Sequence, residues 1–343
     1  MAEQQVLVTG GSGFIAGHVV LRLLEEGWSV RTTLRSLRRE GEVREHLEDA
    51  GMTRGDALTF VEADLLDDAG WTDAVEGTDA VLHVASPVLP GHVEDEDEVV
   101  RPTRECTLRV LGAARDAGVR RVVLTSAFHA VGFGQRHDHP PFTEDDWSPV
   151  DGDGVDAYGR SKILAERAAW DLVSLEGRGL ELVSLLPVAV LGPLLGSDPS
   201  GGNRIVQSLL TGTMEGLPDL AIPIVDVRDV AAAHVAAVTA PAVAGRHVLV
   251  ATGEPATPMR DIARVLREEL GDAAARVPTR EVPDEVIRAQ AEQNPALRST
   301  AADLGFVKRI DVSRMRNDLG IQPRPSREAI VAAARSLLAK GLV

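Results

Sequence analysis

The segment "VLVTGGSGFIAG" (6–17) constrains this chain more than any other. Its apolar start reads as a strand. Ile15, Val19, Leu23 and Leu24, at near-helical spacing, read as a helix that Gly27 stops. Between the two, Gly10, Gly13 and Ala16 stand three apart. The first permits a tight turn, the second lets a pyrophosphate approach the backbone, and the small third residue lets helix and strand pack closely. Gly10, Ser12, Gly13, Phe14 and Ile15 then offer phosphates the free N–H groups and positive end of the helix. The strand–helix unit recurs. Apolar runs at 29–34, 58–65, 80–86, 120–127 and 180–188 alternate with helical patterns, one of them at 99–117. This alternation predicts an α/β fold, a doubly wound parallel sheet covered by helices on both faces. After Gly192 the pattern loosens into a loop at 192–203 rich in Gly, Pro and Ser. A helix at 229–240 and a strand at 246–251 return to the sheet, and helices at 258–270 and 326–340 belong to a smaller C-terminal lobe. The expected division is 1–190, with returning segments at about 225–251, against 191–224 and 252–343.

Aromatic residues make up 3% of the 343 and hydrophobic residues 44%, so Ala, Val and Leu must fill this core. The formal net charge of -16 argues against nucleic acid or an anionic membrane as a partner. Cys106 is the lone cysteine, which excludes an intrachain disulfide and fits a reducing cytoplasm. The start "MAEQQVLVTG" has no basic, apolar leader pattern. The most apolar run, 182–196, is short and broken by Pro187, Gly192 and Pro193, so it reads as a buried strand and loop rather than a membrane span. The acids Glu94–Glu98 read as a solvated helix start.

Two further stretches carry chemistry. The second strand ends "TTLRSLRRE", with Arg35 where a ribose-binding acid would stand, Arg38 and Arg39 nearby, and no acid before Glu40. A guanidinium there suits a 2′-phosphate, which points to NADP over NAD. The second stretch is "DAYGRSKILAERAAW" (156–170). Tyr158 is the only tyrosine of the chain, and Lys162 follows one helical turn later on the same face. A phenol is a weak acid near neutrality. A cation at about 4 Å favours its anion by roughly 4 kcal/mol at an effective dielectric of about 20. That arrangement makes a general acid. The histidines of "QRHDHPPFTEDDW" (135–147) read as part of a loop over a pocket, with no metal expected.

Together these residues resemble the extended short-chain dehydrogenases/reductases, nearest the dihydroflavonol-4-reductase and cinnamoyl-CoA reductase-like carbonyl reductases. "TGGSGFIAG" (9–17), "ADL" (63–65), "HVASP" (83–87), "YGRSK" (158–162), "LLPVAVLGP" (185–193), "VDVRDVAAAH" (225–234) and the ending at 314–343 carry the resemblance. It implies a Rossmann-type domain with a C-terminal substrate lobe, acting as a monomer or homodimer on a small carbonyl compound with NADPH. It implies Asp64 and Leu65 near the adenine and Val84, Ala85 and Ser86 along the cofactor, with Thr125 in the same set. Lys162 binds the nicotinamide ribose, and Pro187, Val188 and Val190 pack near the nicotinamide. Tyr158, Lys162 and a hydroxyl after the fifth strand form the catalytic set.

The chain departs from that pattern in "LTSAFHAVGFG" (124–134), where Ala127 holds the hydroxyl position. The neighbouring Ser126 is the expected replacement and His129 the second candidate. Because strand side chains alternate between faces, Ser126 needs an irregular strand end to serve. Gly132 stands where plant flavonoid reductases carry a substrate-recognising Asn, which argues against a flavonoid. The alternatives are an NAD-dependent sugar-nucleotide epimerase or dehydratase, a hydroxysteroid dehydrogenase, and a non-catalytic NADP-sensing regulator.

Overall fold

The computed structural model describes residues 4–87, 97–294 and 297–343. Strands and helices alternate as β1 (Gln5–Val8), α1 (Phe14–Glu25), β2 (Ser29–Leu34), α2 (Glu40–Asp49), β3 (Leu58–Glu62), α3 (Trp71–Val75), β4 (Ala80–His83), α4 (Asp97–Asp116), β5 (Arg121–Thr125), α5 (Ala157–Glu176) and β6 (Glu181–Pro187). There follow β7 (Ala189–Leu191), α6 (Asn203–Thr211), β8 (Ala221–Ile222), β9 (Ile224–Asp226), α7 (Val227–Thr239) and β10 (Arg246–Val250). The last elements are β11 (Thr257–Pro258), α8 (Met259–Leu270), α9 (Asp284–Gln293), α10 (Arg298–Ala302), α11 (Ser313–Asp318) and α12 (Ser326–Ala339). The solvated helix start expected at Glu94–Glu98 falls largely outside the described residues, and α4 opens at Asp97.

The described strands form a parallel seven-stranded sheet in the order β3-β2-β1-β4-β5-β6-β10, a Rossmann-type α/β fold. Alternation within β1 shows how it is sealed on both faces. Val6 and Val8 join the cluster containing Val19, Leu23 and Val230, from α1 and α7. Leu7, between them, joins the cluster containing Val110, Leu111 and Ala169, from α4 and α5. All three are fully buried. A separate cluster joins α6, α8 and α12 through Leu209, Leu266 and Ile330.

The order reverses between β1 and β4, which opens a crevice at their carboxyl ends, where such sheets bind ligands. β2 ends where its apolar run does, whereas β3, β4, β5 and β6 end one to three residues sooner than theirs. At β3 the chain leaves the sheet after Glu62, and Asp64 turns it by accepting the Leu66 N–H at 3.0 Å. α2 has only Val43 and Leu47 buried, too sparse a pattern to predict from periodicity.

Candidate active site

The turn from β1 into α1 is held open by its glycines. Gly10 has φ +74°, and a Cβ on it would lie 2.7 Å from the Ala85 Cβ across the crevice. Its N–H donates to Thr33 Oγ1 at 2.9 Å, and the Gly13 N–H donates back to the Gly10 carbonyl at 2.8 Å. α1 starts with Gly13 as N-cap and no side-chain cap, so the first-turn N–H groups of Phe14 and Ile15 are left for a ligand. Ser12 and Gly13 are exposed and Ala16 is buried beneath them. Thr9, which sequence reasoning missed, ties the two sides of the crevice. Its Oγ1 accepts the N–H groups of Val84 at 3.0 Å and Ala85 at 2.9 Å and lies 3.0 Å from His83 Nδ1, to which it donates. This cradle, in which a Cβ on Gly10 would collide with Ala85, fits a dinucleotide pyrophosphate.

At the end of β2, Arg35 and Arg38 are exposed and their guanidinium groups have no partner among the described residues. Arg39, by contrast, is paired with Glu42 at 3.0 Å. Asp64 and Leu65 are half-buried just past β3. Pro187, Val188 and Val190 form a buried apolar wall at the end of β6 and in β7.

α5 carries Tyr158 in its first turn, capped by Asp156, whose carboxylate accepts the Gly159 N–H at 2.8 Å. Tyr158 is 47% exposed, so packing does not account for the chain's one tyrosine, and its hydroxyl has no partner among the described residues. Lys162, one turn on, is buried and donates to Ser86 Oγ at 3.0 Å. Its ammonium lies 5.6 Å from the centre of the Tyr158 ring. The two residues thus share a face, as their spacing suggests.

Ser126 is placed differently from the expectation of a donor to substrate. Its hydroxyl donates to the buried Glu166 carboxylate of α5 at 2.5 Å, so its proton is committed. Glu166 also accepts from His247 Nδ1 at 3.2 Å, while His247 Nε2 faces the Glu144 carbonyl. Burial opposes charge on His247, but the hydrogen bond and charge of Glu166 outweigh it and raise its pKa. Thr125 points to the opposite face. His234 Nδ1 donates to the Val230 carbonyl at 2.7 Å, which leaves Nε2 as the acceptor of the Thr125 hydroxyl at 2.7 Å. Neither hydroxyl is available as a donor to a ligand. The strand stays regular to its end, with Ala127 extended at φ -152°, and the alternation of faces prevails.

His129 follows in a short turn, half-buried, with its ring stacked on Phe133 at 4.1 Å and edge-on to Tyr158 at 4.9 Å. The other loop histidines are absorbed by structure. His137 Nε2 lies 2.8 Å from the Ala302 carbonyl, and His139 stacks on Phe142. Among the described residues no cluster of His, Cys, Asp or Glu is arranged to hold a metal, and no helix is long and apolar enough to cross a membrane.

A family model described as "NAD dependent epimerase/dehydratase family" matches residues 6–251. Cinnamoyl-CoA reductase 2 of Arabidopsis thaliana is 31% identical over 339 residues, covering 98% of this chain and 93% of that protein. Dihydroflavonol 4-reductase of Zea mays is 32% identical over 314 residues, covering 89% and 84%. Among solved structures, the yeast methylglyoxal/isovaleraldehyde reductase Gre2 in complex with NADPH superposes with a TM-score of 0.78 at 25% identity, covering 99% of this chain and 100% of that one. With its nucleotide cradle at the sheet's switch point, this chain belongs to the NAD dependent epimerase/dehydratase family, among the extended short-chain dehydrogenases/reductases, and is an NAD(P)-dependent oxidoreductase of the reductase kind.

Proposed function

We propose that the protein is an NADPH-dependent reductase of aldehydes or ketones, with Tyr158 as general acid and Lys162 as its cationic partner. The observation that carries this reading is the exposed Tyr158 hydroxyl, one turn from a buried lysine anchored on Ser86 beside the crevice. A bound nicotinamide dinucleotide supplies the hydride. The α1 N-terminus receives its pyrophosphate, and Arg35 and Arg38 pair with a 2′-phosphate. The wall of Pro187, Val188 and Val190 excludes water, which strengthens electrostatic contacts at the reacting atoms. As hydride adds to the carbonyl carbon, the C=O π pair moves to oxygen and takes the Tyr158 proton. The phenolate stays near the Lys162 ammonium until water returns a proton.

The relatives, a methylglyoxal/isovaleraldehyde reductase among them, support a carbonyl substrate. The lack of an acid at the end of β2 weighs against an NAD-dependent epimerase. Ala127, without a hydroxyl, favours the competing reading of a non-catalytic NADP-binding regulator. NADPH oxidation with methylglyoxal and isovaleraldehyde separates these readings. Tyr158→Phe should lower turnover by about 10²–10⁴-fold and leave NADPH binding unchanged. Lys162→Ala should impair both. Full turnover by the phenylalanine variant would remove Tyr158 from the chemistry.

A further inference from the structure

Reduction of a carbonyl develops charge on oxygen, and one acid rarely carries it alone. A second preorganised donor is worth about 10²–10³-fold in rate. The hydroxyls beside Tyr158 do not supply it. Ser126 donates to Glu166, Thr125 to His234, and Ser161 to the Tyr158 backbone carbonyl at 2.7 Å. Ser86 Oγ accepts from the Lys162 ammonium, and in the reductase reading above it lies along the cofactor rather than at the substrate. His129 remains. Its ring touches Tyr158 edge-on, and neither ring nitrogen has a hydrogen-bond partner among the described residues. The one sealed, unpartnered polar side-chain atom among those residues is Ser184 Oγ, so the His129 nitrogens open onto accessible space.

We propose that His129 donates a ring N–H to the substrate's carbonyl oxygen and steadies the alkoxide as Tyr158 gives up its proton, a role that rests on the reductase reading above. No proton leaves His129. The hydrogen bond tightens as negative charge gathers on the oxygen. A neutral imidazole suits this task, because it always keeps one N–H and adds no charge of its own. The surroundings hold it neutral. Burial, then the charges of Lys308 and Lys162, push its pKa down to about 3. Lys308 comes from the C-terminal segment, buried, with its ammonium 3.8 Å above the Phe133 ring, and Phe133 stacks on His129. That segment is pinned to the loop after β5, where the Phe142 N–H donates to the Arg309 carbonyl at 2.8 Å. His129 is thereby fixed by stacking and left free at its polar edge.

The test is steady-state reduction of methylglyoxal and isovaleraldehyde by NADPH. His129→Phe keeps a flat ring for the Phe133 stack and removes the N–H. It should lower kcat about 10²-fold with NADPH affinity unchanged, whereas His129→Gln, which keeps a donor, should retain at least about a tenth of the rate. If His129→Phe does not fold, His129→Ala decides: imidazole added to the buffer should restore its rate, and no rescue overturns the proposal. Tyr158→Phe is measured in parallel. Loss in that variant with near-full rate in His129→Phe overturns the role of His129 alone. An unaltered protein that oxidises no NADPH, or a Tyr158→Phe variant at full rate, overturns the reductase reading and this role with it.

Discussion

At the scale of single residues, Gly132 shows how one side chain dictates its neighbour. A Cβ there would lie 2.0 Å from the Phe128 ring, so no larger residue fits while Phe128 occupies the space. The position that would carry a substrate-recognising Asn is closed by packing, not merely altered in type. Arg35 shows the converse, a side chain with nothing to do in the protein itself. Burial does not hold it and no carboxylate among the described residues claims it, whereas Arg39 four residues on is spent on Glu42. The use we propose for it is a bidentate bond to a 2′-phosphate. Arg35→Ala should therefore weaken NADPH by at least about tenfold, or about 1.4 kcal/mol, and leave NADH nearly unchanged. Titration of both cofactors reads this directly. Equal losses would make Arg35 a general attractor of anions rather than a reader of the phosphate.

At the scale of elements, the first turn of α5 matters most, because Tyr158 sits in it two residues past the Asp156 cap. Capping supplies an acceptor for an N–H that the helix cannot satisfy. Asp156→Ala should cost about 1 kcal/mol of stability. It should also lower kcat, since fraying displaces the tyrosine, whereas Asp156→Asn should preserve both. Thermal melts and turnover of the two variants check this, and an alanine variant with native kcat would show that deeper packing holds the turn. The same helix marks how far the sequence can be read. The spacing of Tyr158 and Lys162, the strands and the glycine turn are local patterns and stand in the sequence. The committed hydroxyl of Ser126 does not, because its acceptor lies forty residues on in Glu166, itself fixed by His247 from β10. Thr9 escaped notice for a related reason. A threonine at a strand end is ordinary until the chain leaving β4 brings the N–H groups of Val84 and Ala85 to its hydroxyl.

At the scale of the whole molecule, buried polar groups stitch the layers together. Arg121 of β5 is buried, bonds the Glu181 carboxylate on β6 at 2.6 Å, and donates to the carbonyls of Ala237, Val238 and Ala240 at the end of α7. His83 and His234 serve the same end in neutral form, one bonded to Thr9 and the other to Thr125. Burial, assisted at His83 by the charge of Lys162, pushes the His83 pKa down to about 3. Burial takes His234 to about 4 against the pull of the Val230 carbonyl. In the unfolded chain both protonate near pH ~6.5. Between these values the unfolded state binds more protons, so stability rises with pH and is lost on acidification, by up to about 1.4 kcal/mol per unit for each histidine. His247 has the opposite sign, since its raised pKa adds stability that is complete below about pH 6.5 and is lost as pH rises through its folded value. It therefore offsets part of the loss between pH 7 and 6 and leaves the slope below that untouched. His129, held neutral by burial and by Lys308 and Lys162, acts in the same direction. Urea unfolding at pH 7, 6 and 5 should show stability falling by about 1.5–3 kcal/mol per unit on the acid side. A midpoint that stays level over this range would mean that His83 and His234 take up protons in the native state, and that their bonds to Thr9 and Thr125 do not lock the neutral rings.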